Sequence, residues 1–135
     1  MANALYDLGR QAFLEGSIAW FTDSIKAVLV DTTLYTVNLA THQFLSSIAS
    51  GARVSTSGNF TTKTSSAGVA DADDVTFSLV TGAQVEAIVI YKDTGSPATS
   101  PLIAYIDTAT GLPVTPNGGN ITVQWDNGSN RIFKL

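Results

Sequence analysis

His42 is the single histidine of the chain, so acid–base or nucleophilic catalysis that needs an imidazole has one candidate. A Ser-His-Asp hydrolase would place it beside a nucleophilic serine, but the sequence contains no Gly-x-Ser-x-Gly turn. Cysteine is absent, which removes thiolate nucleophiles, disulfides and cysteine-based zinc sites together. His42 lies next to the start of a predicted short helix, and we expect a structural or solvated role for it.

The densest acidic group is formed by Asp71, Asp73 and Asp74. Alternating carboxylates on a loop can bind calcium through hard oxygen ligands. The spacing lacks the glycine and the distal bidentate glutamate of a calcium-binding loop. We therefore interpret the group as a solvated turn before a strand, with these three aspartates as weak metal candidates, and we predict no metal and no cofactor.

Two further kinds of chemistry have weak support. Glu86, Asp93 and Asp107 would serve as the paired carboxylates of a glycoside hydrolase if they converged in space, but no local pattern selects them. Gly118-Gly119 precedes a predicted strand and has no Lys-Ser/Thr after it, unlike a phosphate-binding loop. We predict no catalytic residue and no enzymatic activity.

Charge is scarce throughout the 135 residues. The chain is 44% apolar and 13% charged, with a net charge of −4, whereas a typical soluble domain is about a quarter charged. The seven cations are scattered, so no basic stripe indicates a nucleic-acid partner. The apolar runs are shorter than the roughly 20 residues that span a bilayer, and the first residues do not resemble a secretory signal. We expect a soluble protein made in a cytoplasm, with no membrane partner.

Helical spacing over residues 3–16 predicts an amino-terminal helix. The residues that carry this pattern are Asn3 as N-cap, Leu5, Leu8 and Ala12 at helical spacing, and Gly16 at a left-handed C-cap. Gly9 weakens such a helix by about 1 kcal/mol relative to alanine. A short, weakened helix needs a surface to lie on, either the chain's own β-core or a neighbouring subunit. We predict that residues 1–16 form a helical attachment segment.

Most of the remaining pattern predicts strands. Residues 25–30 and 84–92 are apolar on both faces and predict buried strands, the second one central. Val75, Phe77 and Leu79 alternate with polar residues, which predicts a half-buried strand. Further predicted elements are strands at 102–106, 121–125 and 131–135, weak strands within 53–60 and 63–70, and a helix capped by Thr41 and stopped near Gly51. Asn127-Gly128 predicts a tight hairpin reversal from the 121–125 strand into the 131–135 strand.

Together these elements predict one mainly β domain over residues 1–135. The fold would be an antiparallel β-sandwich or a small barrel, with a short amino-terminal helix and one further short helix. The side chains that we expect at an interface are Leu5, Leu8, Phe13, Trp20 and Phe21. For Trp20 and Phe21 a core position is equally open.

Several segments resemble a family of small virion structural proteins of tailed bacteriophages, and the resemblance covers essentially the whole chain. The segments are Asn-Ala-Leu-Tyr-Asp-x-Gly-Arg-x-Ala-Phe-Leu-Glu-Gly (3–16), Val-Leu-Val-Asp (28–31), Ala-Thr-His-x-Phe-Leu (40–45), Ile-Tyr-Lys-Asp-Thr-Gly (90–95), Leu-Ile-Ala-Tyr-Ile-Asp (102–107), Leu-Pro-Val-Thr-Pro-Asn-Gly-Gly (112–119) and Trp-Asp-Asn-Gly (125–128). The family carries no catalytic residues over to this chain.

The resemblance implies a non-enzymatic capsid decoration, or cement, protein on the virion surface. Its partners would be the major capsid protein and further copies of itself, which we expect to form a homotrimer. A tail, neck or tail-fibre component is the nearest alternative. A module that binds host glycan through exposed aromatics such as Trp20 or Tyr105 is another, and an enzyme comes last.

Overall fold

Antiparallel pairing organises the chain into three sheets in a computed structural model, which describes residues 4–108, 111–125 and 131–135. The elements are β1 (Ala4–Leu5), α1 (Asp7–Leu14), β2 (Ile25–Val30), β3 (Arg53–Thr56), β4 (Thr64–Ser66), β5 (Val69–Asp71), β6 (Val75–Phe77), β7 (Ala87–Lys92), β8 (Leu102–Ile106), β9 (Ile121–Val123) and β10 (Phe133–Lys134). The sheet orders are β1-β8-β7-β2-β3, β10-β5-β4 and β6-β9. The predicted mainly β fold is confirmed, as a small sandwich-like arrangement and not a closed barrel.

The centre of the fold is the pair β2 and β7, which runs in register from Ile25 opposite Lys92 to Val30 opposite Ala87. Both strands are apolar on both faces, so both faces must be covered. One face packs on β6, β9 and the aromatic side chains near them, and the other packs beneath the connection between β2 and β3. The prediction that residues 25–30 and the central part of 84–92 are buried strands is confirmed.

The connection that covers the second face contains no α-helix, so the predicted helix from Thr41 to Gly51 is wrong. Two short 3-10 turns, Leu45–Ser47 and Ser50–Ala52, take its place. The reason is long-range pairing. The backbone N–H of Leu45 donates to the carbonyl of Ser100 at 2.8 Å, and Gln43 accepts from the N–H of Leu102 at 2.8 Å. These bonds use backbone groups that helical bonding would need.

The amino-terminal helix begins at Asp7, after Tyr6 as N-cap, and not after Asn3, which lies outside the described residues. Leu5 is not helical, because Ala4 and Leu5 pair with β8 as an edge strand. The predicted end of the helix is confirmed. Gly16 has φ +76°, and Ser17 N–H donates to the carbonyl of Ala12 at 2.8 Å, as in a Schellman motif.

Gly9 lets α1 lie directly on the sheet. A Cβ atom there would overlap the carbonyl oxygen of Leu102 and stand 3.2 Å from Cα of Ile103. The helix therefore rests on the chain's own β-core. Since β1 is a strand of the central sheet and Tyr6 is fully buried, residues 4–16 are part of the folded core and not a separate segment.

Two predictions in the second half of the chain are wrong. Leu79 does not share the inward face of Val75 and Phe77, because β6 ends at Phe77 and Leu79 points outward with φ +50°. The last strand, β10, pairs with β5 and not with β9. The reversal predicted at Asn127-Gly128 lies outside the described residues.

We expect Gly9→Ala to destabilise the protein although alanine is the better helix former. The overlap with the backbone of β8 should cost about 1–3 kcal/mol, which exceeds the gain of about 1 kcal/mol in helix propensity. Urea unfolding measures the difference. Gly58→Ala is the matched control, because a Cβ at Gly58 meets nothing within 4 Å. A Gly9→Ala variant as stable as the wild type would contradict the close approach.

Candidate interaction surfaces

His42 belongs to a hydrogen-bonded network on the second face of the central sheet. The hydroxyl of Tyr35 lies 2.9 Å from that of Tyr6 and 2.8 Å from Nδ1 of His42. The backbone N–H of Asn38 also donates to Nδ1, at 3.2 Å. Burial raises the pKa of both phenols, that of Tyr6 far above its usual range. The network links the β2–β3 connection to the buried Tyr6. In this arrangement the His42 ring has a structural role, because it holds the Tyr35 hydroxyl.

The three aspartates of the acidic group have separate partners. Asp73 accepts a hydrogen bond from the hydroxyl of Thr61 at 3.0 Å, and Asp74 accepts one from the backbone N–H of Trp125 at 2.9 Å. Asp71 lies at the end of β5, with its Oδ2 3.9 Å from Nη1 of Arg131. Within the described residues, no group of three or more His, Cys, Asp or Glu side chains is placed to hold a metal ion.

The three carboxylates considered for glycoside hydrolysis do not lie together, because Asp93 is at the opposite end of β7 from Glu86. Glu86 precedes β7 and Asp93 follows it, so they are separated by the length of the strand, about 20 Å or more. Asp107 follows β8, whose Ile106 pairs with Ile88, and it therefore lies at the Glu86 end of the sheet. The Asp93 carboxylate instead forms an ion pair with Lys26.

Most of the aromatic side chains considered for binding lie in the core. Trp20 is 8% exposed and packs edge-to-face on Phe133 at 5.2 Å, with Nε1 donating to the carbonyl of Thr64 at 3.1 Å. Tyr105 is also buried, so the two side chains named for glycan stacking do not face solvent. Trp125 is buried as well.

The five predicted interface side chains divide by exposure. Leu5 and Trp20 are buried within the chain itself, so neither side chain is exposed on the folded chain. For Trp20 this is the core position that the sequence left equally open. Leu8 and Phe13 are half-buried, and Phe21 is 60% exposed. Sequence reasoning missed Leu14, which is 89% exposed. The small residues Gly9 and Ala12 mark the inward side of α1, and Leu14 lies about 200° round the helix from Ala12.

We define the amino-terminal surface as Phe13, Leu14 and Phe21. Phe13 and Trp20 both pack on the ring of Phe133, at 6.0 Å and 5.2 Å, so the elements that carry the two exposed side chains adjoin each other. This surface therefore presents one leucine and one phenylalanine outward from neighbouring parts of the fold.

The loop that carries Phe21 is held at several points. Oδ2 of Asp23 accepts from the N–H of Ala19 at 2.7 Å and lies 3.2 Å from Nζ of Lys92, which also donates to the carbonyl of Ser17 at 2.8 Å. Burial alone would raise the pKa of Asp23, but these hydrogen bonds and the lysine charge hold it below its usual value. Phe21 is thus displayed on a fixed loop.

A second surface carries no charge at all. Residues 75–85 and 111–125 contain no Asp, Glu, Lys or Arg, and twenty of them are exposed or half-buried. We call these twenty residues the uncharged face. Thr76 and Thr122 are hydrogen-bonded across β6 and β9 at 3.1 Å, and Leu79 is 74% exposed beside them in the chain. The sequence could have indicated this face, because two long segments of the chain contain no charged residue.

Comparisons with known proteins add no relative. No family model matches the chain, and no curated protein matches it. Among the described residues, no helix has the length and apolar character to cross a membrane.

We expect Asp93→Asn to make stability less sensitive to acid. The hydrogen-bonded Lys26 ammonium, at 2.8 Å, and the N–H of Gly95 hold the pKa of Asp93 below its usual value. A depressed folded-state pKa stabilises the fold above the unfolded pKa of about 3.9, and this contribution disappears as pH falls through the folded value.

The variant should lose up to about 1 kcal/mol at pH 7, and the loss should shrink as pH falls through the folded-state pKa of Asp93. Urea midpoints at pH 7 and pH 2 measure this. Asp7→Asn, which removes a more exposed ion pair with Arg10, is the control and should lose less at pH 7. An unchanged wild-type pH dependence in Asp93→Asn would contradict the contribution of this pair.

Proposed function

We propose that the chain is a non-enzymatic structural protein of a tailed-bacteriophage particle. In this proposal it is a capsid decoration protein that binds the outside of the assembled head and stabilises it. Its partners are the major capsid protein and further copies of the chain, and its location is the capsid surface. Because the comparisons add no relative, support comes from the resemblance of segments along the whole chain and from the described surfaces.

The observation that carries the proposal is the amino-terminal surface. Leu14 and Phe21 are large apolar side chains held outward on a capped helix and a fixed loop. Full burial of such a side chain against a partner is worth about 1.5–3 kcal/mol, and little ordering is needed because the backbone is already held. Repeated copies on a lattice multiply a modest contact of this kind through avidity.

Attachment at this surface agrees with the role that the sequence suggested for residues 1–16, but it changes how that role must be tested. Removing the segment would take β1 and the buried Tyr6 out of the fold, so a truncation would not separate binding from folding. Substitutions at exposed positions of the surface are therefore the appropriate probe. The glycan-binding alternative loses support because Trp20 and Tyr105 are buried.

We expect the double substitution Leu14→Ser, Phe21→Ser to weaken binding to purified heads that lack the protein by about tenfold or more, since it removes two buried apolar contacts. Co-sedimentation with the heads measures binding. Leu34→Ser is the matched control, because Leu34 is 61% exposed but lies in the β2–β3 connection.

The melting temperatures of both variants should stay near that of the wild type, since all three side chains are already exposed. Normal head binding by the double variant would contradict attachment through the amino-terminal surface. Failure of the wild type to bind heads, together with binding to purified tails, would replace the decoration role with the tail alternative.

A further inference from the structure

Leu79 is an exposed apolar side chain on a strained backbone. Its φ of +50° lies in the left-handed region, which disfavours bulky side chains. Its N–H donates to Oδ1 of Asn120 at 3.0 Å, and the N–H of Val80 donates to the carbonyl of Gly119 at 2.9 Å. A turn that served only to reverse the chain would favour glycine or asparagine here. The observed conformation instead fixes a leucine outward, and such strain is often found at functional sites.

Next to Leu79 lies an open pocket of about 180 Å³. Its apolar lining consists of Leu29, Ile88, Leu112, Val114, Ile121 and Val123. An apolar cavity of about 150 Å³ can hold a benzene molecule, so this pocket has room for the side chain of a leucine. Asn120 also lines the pocket, and its side chain holds the backbone of Leu79. The projecting leucine and the pocket therefore adjoin each other on the uncharged face.

The uncharged face has the charge pattern that self-association favours. None of its twenty exposed or half-buried residues is charged. Each chain carries a net charge of −4, so two copies approach with least repulsion where neither has charged side chains. A strongly charged partner would find no complementary charge among these residues.

We propose that the uncharged face binds a second copy of the chain about a two-fold axis, with Leu79 of each copy in the pocket of the other. A projection and a pocket on the same face are self-complementary, which is the condition for an isologous two-fold contact. A three-fold ring, as expected from the sequence, would need them on faces that point in different directions. The inference rests on the self-association part of the proposed function and names its surface.

The experiment is sedimentation equilibrium of the full chain from about 1 µM to about 1 mM, a range that covers weak to moderate affinities. The wild type should approach twice the chain mass of 14.1 kDa. Leu79→Asn should weaken association by about tenfold or more, because it removes the central apolar contact. Asparagine tolerates the left-handed region, so at concentrations where the wild type is monomeric this variant should melt no lower than the wild type.

Thr122→Glu provides a second variant, since this exposed residue lines the pocket and the new charge would be buried in the contact. The matched controls are Leu34→Asn and Thr36→Glu, at exposed positions of the β2–β3 connection. Both controls should associate as the wild type does.

A wild type that stays monomeric throughout this range would overturn the proposal. So would a dimer that neither Leu79→Asn nor Thr122→Glu weakens, or a Leu79-dependent trimer, which would exclude the two-fold arrangement. Head co-sedimentation separates this inference from the decoration role. A wild type that dimerises through Leu79 but does not bind heads contradicts the decoration role and supports the two-fold contact.

Discussion

Burial of both faces of the β2–β7 pair is the constraint on which the rest of the structure depends. Side chains such as Leu29 and Ile88 point to one face, and others such as Val28 and Val89 point to the opposite face. Exposure of either face to water would cost much hydrophobic stabilisation. Other segments of the 135-residue chain must therefore pack on both faces of the pair. The β6–β9 pair and the β4–β5–β10 sheet cover the first face, and the β2–β3 connection covers the second.

Hydrogen bonds from polar side chains hold the segments that pack on the two faces of the β2–β7 pair. The Tyr6–Tyr35–His42 network fastens the β2–β3 connection, and Asp74 fixes the backbone at Trp125 on the other side. Buried polar groups need such partners, since an unsatisfied one is costly. With few charged residues available, large parts of the outer surface are left to Ser, Thr, Asn and isolated apolar side chains, as on the uncharged face.

The sequence predicted elements whose signal is local and missed those that depend on distant partners. Ile25–Val30 and Leu102–Ile106 have the predicted bounds, because an apolar run with both faces buried is readable from the chain alone. The helix predicted at 41–51 does not form, because backbone groups of this segment hydrogen-bond to residues near position 100, about fifty positions away. For the surfaces, Phe21 was an expected interface side chain for which a core position was equally open. The alternating pattern around Leu79 does not signal its positive φ or its exposure.

The accessible surface area of the single chain favours association between chains that are already folded. The chain exposes 6687 Å², and a compact monomer of its 14.1 kDa mass is expected to expose about 6,700 Å². Its core is therefore closed without a partner, unlike that of an obligate oligomer with no stable folded monomer. Binding through Leu14, Phe21 or Leu79 would join preformed surfaces, so that little of the interaction energy is lost to ordering the chain. This property agrees with the proposed decoration role, in which an already folded chain would be added to an assembled particle.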